Sequence, residues 1–466
     1  MLIYIKMINT KTEEEAILLL CSKTHQAVED MLPPEFFFQP ACDSSGFFRL
    51  SFYQWIKQKI GLGTFSAGIT AVVVFSSMTF VNISADQKAA LIPSAPKAAP
   101  RKQPPKQIEK KAVKKFSGSG SASRTSSTRT VQSALKKPET KRADNRKGVY
   151  LTAASVAREK FLKDTVAELA ESNGDSLVFD VKGGVVLFHS AAPLAKESDL
   201  IRPAYDLPEI LKIAEENGIY TIGRFVAIKD YGLTAKKPET RIKDPKTGRV
   251  LSRDWIDPAD DTAIEYNMQV ICELAKAGID EINLDYIRFS TAEWRALSVY
   301  SGEEKADRVE KFLKSARDTV DRCGPATKLG ISTYAILGWN YENNLQTLGQ
   351  DVVRFAPLVD VISPMAYPST FAPNAYYRPG EDPGPRNYFL VYRTLTGYRE
   401  LLGPEQSKKI RPWIQGYGVK SKDVSDEIRA VYDAGFCGFT VWNANNGYAP
   451  AYLAFKNDRL RPERCK

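Results

Sequence analysis

From Gly148 onward, short apolar or β-branched runs alternate with longer stretches in which apolar positions recur every three to four residues. Strand-like and helix-like segments that alternate in this way build βα units around a parallel sheet. Eight strand-like runs can be read, at 148–151, 176–182, 220–227, 281–287, 329–334, 361–367, 410–417 and 438–442. Helical periodicity fills much of the chain between them, for example at 154–171, 258–277 and 303–322. Eight such units suit a barrel of about 250 residues plus loop insertions. The pattern therefore predicts an α/β protein whose residues 147–466 form a (β/α)8 TIM barrel.

The first third of the chain reads differently. Residues 60–83, IGLGTFSAGITAVVVFSSMTFVNI, hold no charged side chain and match the thickness of a bilayer core of about 30 Å. They predict a single transmembrane helix, with a buried helix of a soluble domain as the alternative. Because 59 residues precede the run, it reads as an uncleaved anchor rather than a signal peptide. Residues 1–59 form a short segment placed on the cytoplasmic side. Residues 84–146, rich in Pro, Ala, Lys and Ser, are too poor in large apolar groups to offset the entropy of ordering, and predict a disordered linker. Lys and Arg flank the apolar run on both sides, so the positive-inside rule does not orient it. Placing the barrel outside the cell membrane follows from the substrate inferred below.

Charge changes the picture only by where it lies. The chain carries +10 in all, but residues 85–147 hold 17 Lys and Arg against 4 Asp and Glu, which leaves the remainder slightly acidic. A nucleic-acid groove needs the excess on a folded surface with aromatics among it, so no nucleic-acid partner is expected. The six cysteines are dispersed without a CxxC pair, which indicates neither a zinc site nor a dense disulfide framework. Of two histidines, only His189 falls within the barrel, in a loop-like setting. Multi-histidine metal centres are thereby removed, a metal-dependent deacetylase is disfavoured, and no metal or organic cofactor is implied.

Strand alternation singles out carboxylates. In EINLDYIRF one face carries Ile282, Leu284 and Tyr286 and the other Asn283, Asp285 and Ile287, so Asp285 points into the barrel near the strand's C-terminal end. In SLVFDVK, Asp180 and Lys182 share the inward face with Val178. Catalytic groups of this fold sit at that end, which makes inward carboxylates there the candidates for acid and base work. Glu281 and Asp360 open their strands and read as structural. Arg224 and Arg288 are placed to pair with these carboxylates or to bind substrate oxygens, and a structural ion-pair network remains the alternative for Asp180. Trp255, Tyr334, Tyr367, Gln415, Trp442, Asn443 and Asn445 collect at the same strand ends. Sugar rings lie on aromatic faces and bond amides, so these residues are candidate carbohydrate contacts.

The motifs GVYLT, VFDVK, WIDP, DEINLDYIRFS, SPMAYPSTF and GFTVWNANNGY, in this order over about residues 147–448, resemble the putative glycoside hydrolase family of bacterial TIM-barrel domains. The resemblance implies a glycosidase-like barrel with Asp285 in the position of a catalytic carboxylate. Related barrels carry an acid after strand five or six, where this chain offers only Glu342, and IQGYG lacks the acid of related strand-seven segments. The expected activity is hydrolysis of glycosidic bonds in a surface or cell-wall polysaccharide by two carboxylates, with Asp285 as nucleophile or stabiliser, Asp180 or Asp257 as its partner, and Glu342 as a remote acid. The rival is a non-catalytic barrel that binds polysaccharide or serves as a surface interaction module.

Overall fold

The computed structural model describes residues 143–458 and 461–465. The predicted transmembrane helix at 60–83, the segment before it and nearly all of the linker lie outside these residues. Among the described residues no helix is long and apolar enough to cross a membrane.

Eight parallel strands close into a barrel in sequence order, β1 pairing with both β2 and β8. They are β1 (Lys147–Leu151), β2 (Ser176–Lys182), β3 (Tyr220–Val226), β4 (Glu281–Asp285), β5 (Lys328–Tyr334), β6 (Val361–Met365), β7 (Trp413–Gln415) and β8 (Phe439–Trp442). A principal helix follows each strand: α1 (Glu159–Glu171), α2 (Leu207–Glu216), α3 (Asp261–Ala277), α4 (Gly302–Cys323), α5 (Tyr341–Leu348), α6 (Arg386–Gln406), α7 (Ser421–Asp433) and α8 (Ala449–Lys456). Their ends carry local signals. Asp260 caps α3 by accepting the Ala263 N–H, and Gly278 closes that helix at φ 88°. Ser301 and Glu304 form a reciprocal capping box on α4.

Strand alternation sorts the core into two layers. Outward residues such as Leu177, Phe179, Ile282, Leu284 and Ile331 join the large apolar shell under the helices. Inward residues Tyr150, Val178, Ile222, Tyr367, Trp413 and Trp442 fill the lumen. A polar chain crosses it as well: the Trp413 indole N–H donates to Ser332 Oγ at 3.0 Å, and Ser332 Oγ donates to Asn283 Oδ1 at 2.6 Å. At the amino ends of the strands, Arg411 binds both oxygens of Glu281 at 2.7 and 2.8 Å, and both side chains are fully buried. Asp360 at the same end is held by Arg317 and by the Leu329 N–H. These two acids are structural, as their places at the strand openings suggest.

Four expectations need correction. The seventh run shrinks to three residues because Pro412 has no N–H to give, leaving Ile410 with an isolated bridge to Ile362. The fourth strand stops at Asp285 because Tyr286 takes a left-handed φ of 53°. Alternation reverses there: Tyr286 joins the mouth of the barrel and Ile287 the outer core. Lys182 does not face the lumen beside Asp180. A register shift between the two turns its ammonium to Asp230 Oδ2, 2.7 Å away, with both side chains fully buried. Finally, the linker ends earlier than residue 146. Residues Ala143–Asn145 form a 3-10 turn, and the Ala143 carbonyl accepts from Arg411.

Two disulfides, Cys272–Cys323 and Cys437–Cys465, link residues 51 and 28 positions apart. The first joins α3 to α4, the helices on either side of β4 in the chain. Spacing alone gave no sign of either pair.

Candidate active site

The registers of β2, β3 and β4 bring the chemistry together. Arg224 lies level with Asp180 on one neighbour, and Val226 lies level with Asp285 on the other. Arg224 Nη1 donates to Asp180 Oδ1 at 2.7 Å, while Nε and Nη2 both reach Asp285 Oδ2, at 2.8 and 2.6 Å. All three side chains are largely buried, which strengthens these charge-assisted bonds. Burial opposes the guanidinium charge, but Asp285 and Asp180 outweigh it and hold Arg224 well above its ordinary range.

The remaining carboxylate oxygens are also occupied. Asp285 Oδ1 accepts the Tyr286 N–H at 2.7 Å, a bond to the residue in the left-handed turn. Asp180 Oδ2 accepts the Tyr150 hydroxyl at 2.6 Å. Burial first, and then the charge of Asp180, push the Tyr150 hydroxyl well above its usual range, so it keeps its proton.

Above this cluster opens a cavity lined by Arg224, Asp285, Tyr286, Arg288, Ser332, Tyr334, Met365, Tyr367, Trp413 and Trp442. Trp442 stacks on Tyr150 at 6.2 Å and meets Tyr367 at 5.8 Å. Arg288 lies over the Tyr334 ring at 4.4 Å, Trp255 at 5.1 Å and Tyr286 at 5.2 Å. Trp255 is therefore a buried support, edge-on to Tyr286, rather than a wall of the cavity.

Asp180, though tied to Arg224, is not among the lining residues, and other candidates also stand apart from the cavity. Asp257 is bound by Arg308 at 2.6 Å and accepts the Ala259 N–H, so it ties the loop after β3 to α4. Glu342 is exposed on the first turn of α5. Gln415 spends its amide on the backbone, accepting from the Ser369 N–H and donating to the Tyr417 carbonyl. Asn443 does likewise with the Gly416 and Gly447 carbonyls and the Asn445 N–H, while Asn445 is exposed. These amides shape the loops that frame the mouth. Conversely, Tyr286, Ser332, Met365 and Trp413 line the cavity although the strand-end pattern does not single them out as sugar contacts. The inward alternation shared by Ser332 and Tyr334 was the available signal for Ser332. Among the described residues no three of His, Cys, Asp and Glu converge as metal ligands would.

No curated protein matches the chain. Among solved structures, a hypothetical protein from Ruminiclostridium thermocellum is 29% identical over 39% of this chain and 96% of its own, with a TM-score of 0.34. The β-galactosidase of the psychrophilic Marinomonas ef1 is 12% identical over 67% of this chain, with a TM-score of 0.48, and the match spans 58% of that enzyme's length. The catalytic domain of the β-amylase from Paenibacillus polymyxa is 12% identical over 70% of this chain and 100% of its own, with a TM-score of 0.45. The family model described as "Putative glycosyl hydrolase domain" matches residues 148–448, nearly the whole barrel from β1 to the loop after β8, and the chain belongs to that family.

Proposed function

We propose that the barrel hydrolyses glycosidic bonds of a surface or cell-wall polysaccharide, with Asp285 and Asp180 as its working carboxylates. The observation that carries this reading is the bridge from Asp285, which lines an aromatic-walled cavity, through Arg224 to Asp180 beside it. Asp285 lines that cavity, and its negative charge is fixed in place by two guanidinium bonds and one backbone bond. That suits attack on an anomeric carbon or stabilisation of an oxocarbenium-like transition state. Asp180 makes one guanidinium bond, and its other oxygen faces a hydroxyl, a group able to donate or accept. It is the better partner for proton transfer than Asp257, which is committed to Arg308, or Glu342, which is exposed. In the full cycle the bond from the anomeric carbon to the leaving oxygen breaks and that oxygen gains a proton. Water supplies hydroxide to the carbon and returns a proton to the protein.

The same reading places the barrel outside the cell, held to the membrane by residues 60–83. The two disulfides support it, since such bonds persist in oxidising compartments. The rival, a barrel that binds polysaccharide without cleaving it, draws on the fact that both carboxylates are already satisfied by Arg224. Reducing-end release by the purified full-length chain, across bacterial wall and capsular polysaccharides, decides between them. Release that disappears in a folded Asp285→Asn variant supports hydrolysis. Binding without release from any polymer supports the rival.

A further inference from the structure

The buried cations of this barrel mostly meet an acid. Lys182 meets Asp230, Arg411 meets Glu281, and Arg224 meets Asp180 and Asp285. Lys305 meets none but gives its ammonium to the Gln346 and Thr347 carbonyls, away from the cavity. Arg288 differs from all of these. It is only 5% exposed, lines the cavity, and makes one hydrogen bond, from Nη1 to the Phe289 carbonyl at 2.8 Å. Among the described residues no carboxylate is in ion-pair contact with it, and Nε and Nη2 have no acceptor.

A buried charge without a counter-ion is costly unless something offsets it. Three aromatic rings, those of Trp255, Tyr286 and Tyr334, do part of this by presenting electron-rich faces to the guanidinium. With the Phe289 bond, they give the group defined contacts on several sides. A guanidinium fork fixed in this way, with donors to spare, matches a carboxylate better than a neutral hydroxyl.

We infer that the Arg288 side of the cavity is a subsite for an anionic sugar, and that the residue bound against Asp285 is a hexuronate whose carboxylate pairs with Arg288. The inference rests on the glycosidase reading only for the role of Asp285, not for the anion site itself. In a hexuronate the anomeric carbon and the carbon bearing the carboxylate both flank the ring oxygen, so one pyranose presents one group to each residue. The aromatic wall of Trp442 and Tyr367 then serves the apolar face of the ring.

The test uses matched ligands. Oligosaccharides of glucuronate, galacturonate and mannuronate are each compared with the same chain after chemical reduction of the carboxylates to hydroxymethyl groups. Binding to the full-length protein is read by calorimetry at low and high salt, and reducing-end release is read separately. At least one acidic chain should bind tenfold or more tighter than its reduced counterpart, with the preference shrinking in high salt. Arg288→Gln should abolish that preference, and Arg288→Lys should restore only part of it, with thermal melts verifying that both variants fold. Equal binding of every acidic and reduced pair overturns the inference, as does a preference that survives in folded Arg288→Gln. So does tighter binding of a sulfated neutral chain than of any hexuronate. Acid-selective binding without release leaves the anion site standing and removes the glycosidase reading. Release from neutral chains without acid preference does the reverse.

Discussion

Arg224 places two of its nitrogens on a single oxygen of Asp285, Oδ2, and leaves Oδ1 to the amide of Tyr286. The carboxylate is thereby fixed in position and direction as well as in charge. Asp285→Asn keeps the shape and an acceptor but removes the charge, so the fold should survive. The rate constant for hydrolysis is expected to drop on the order of 10³-fold or more, whereas Asp180→Asn should cost about 10²- to 10⁴-fold, the range of a proton-transfer group. Single-turnover kinetics on both variants measures each loss against its expected range.

Arg224 is expected to matter for stability as much as for turnover. Arg224→Met would leave Asp180 and Asp285 close together, buried and without a counter-charge. Breaking a buried pair from one side costs about 3–5 kcal/mol. Urea unfolding of the variant should show a loss of that order, and turnover should fall with it. A variant as stable as the parent would mean that water already screens the cluster.

Glu427 on α7 gives a pH-dependent prediction. Its side chain is wholly buried, and it accepts the Gln415 N–H at 2.7 Å. Burial raises its carboxyl well above the usual 4.5. The folded state therefore keeps a proton that the unfolded chain releases, so this group's contribution to stability falls as pH rises above the ordinary carboxylate range. Glu427→Gln retains an acceptor for Gln415 and needs no proton. It should melt higher than the parent at pH 8, by on the order of 3 °C, and the gap should close near pH 4.

The clamp between α3 and α4 predicts a redox effect. Closing a 51-residue separation stabilises by about 2–4 kcal/mol. A Cys272→Ser, Cys323→Ser double variant should lose that much in denaturant titrations, and the parent should lose at least as much in reductant, which also opens Cys437–Cys465. A double variant as stable as the parent would mean that the Cys272–Cys323 bond does not form in solution.

Much of the barrel was legible because parallel strands covered on the outside and packed on the inside write their alternation into the sequence. EINLDYIRF placed Asp285 correctly by parity alone, and SLVFDVK did the same for Asp180. Parity failed where the backbone departed from regular strand geometry: at Tyr286, with its positive φ just after β4, and at Lys182, past the register shift within β2. At Tyr286 no glycine, the usual signal of a left-handed turn, marks the position. The amides turn out to have a second role that the sequence does not show. Gln415 and Asn443 lie at strand ends, where carbohydrate contacts would lie, yet nearby backbone groups consume their hydrogen bonds. Composition at a strand end does not distinguish an amide that greets a ligand from one that ties a loop. The disulfides were illegible because their partners meet only once the helices have packed.

The buried pair of Glu281 and Arg411 closes the far end of the lumen, and above it the barrel is filled by the rings of Tyr150, Trp413 and Trp442. Traffic through the cavity is consequently two-way along one path. A ligand cannot thread the barrel, so whatever enters the cavity must leave by the same mouth, and departure and arrival compete for one passage.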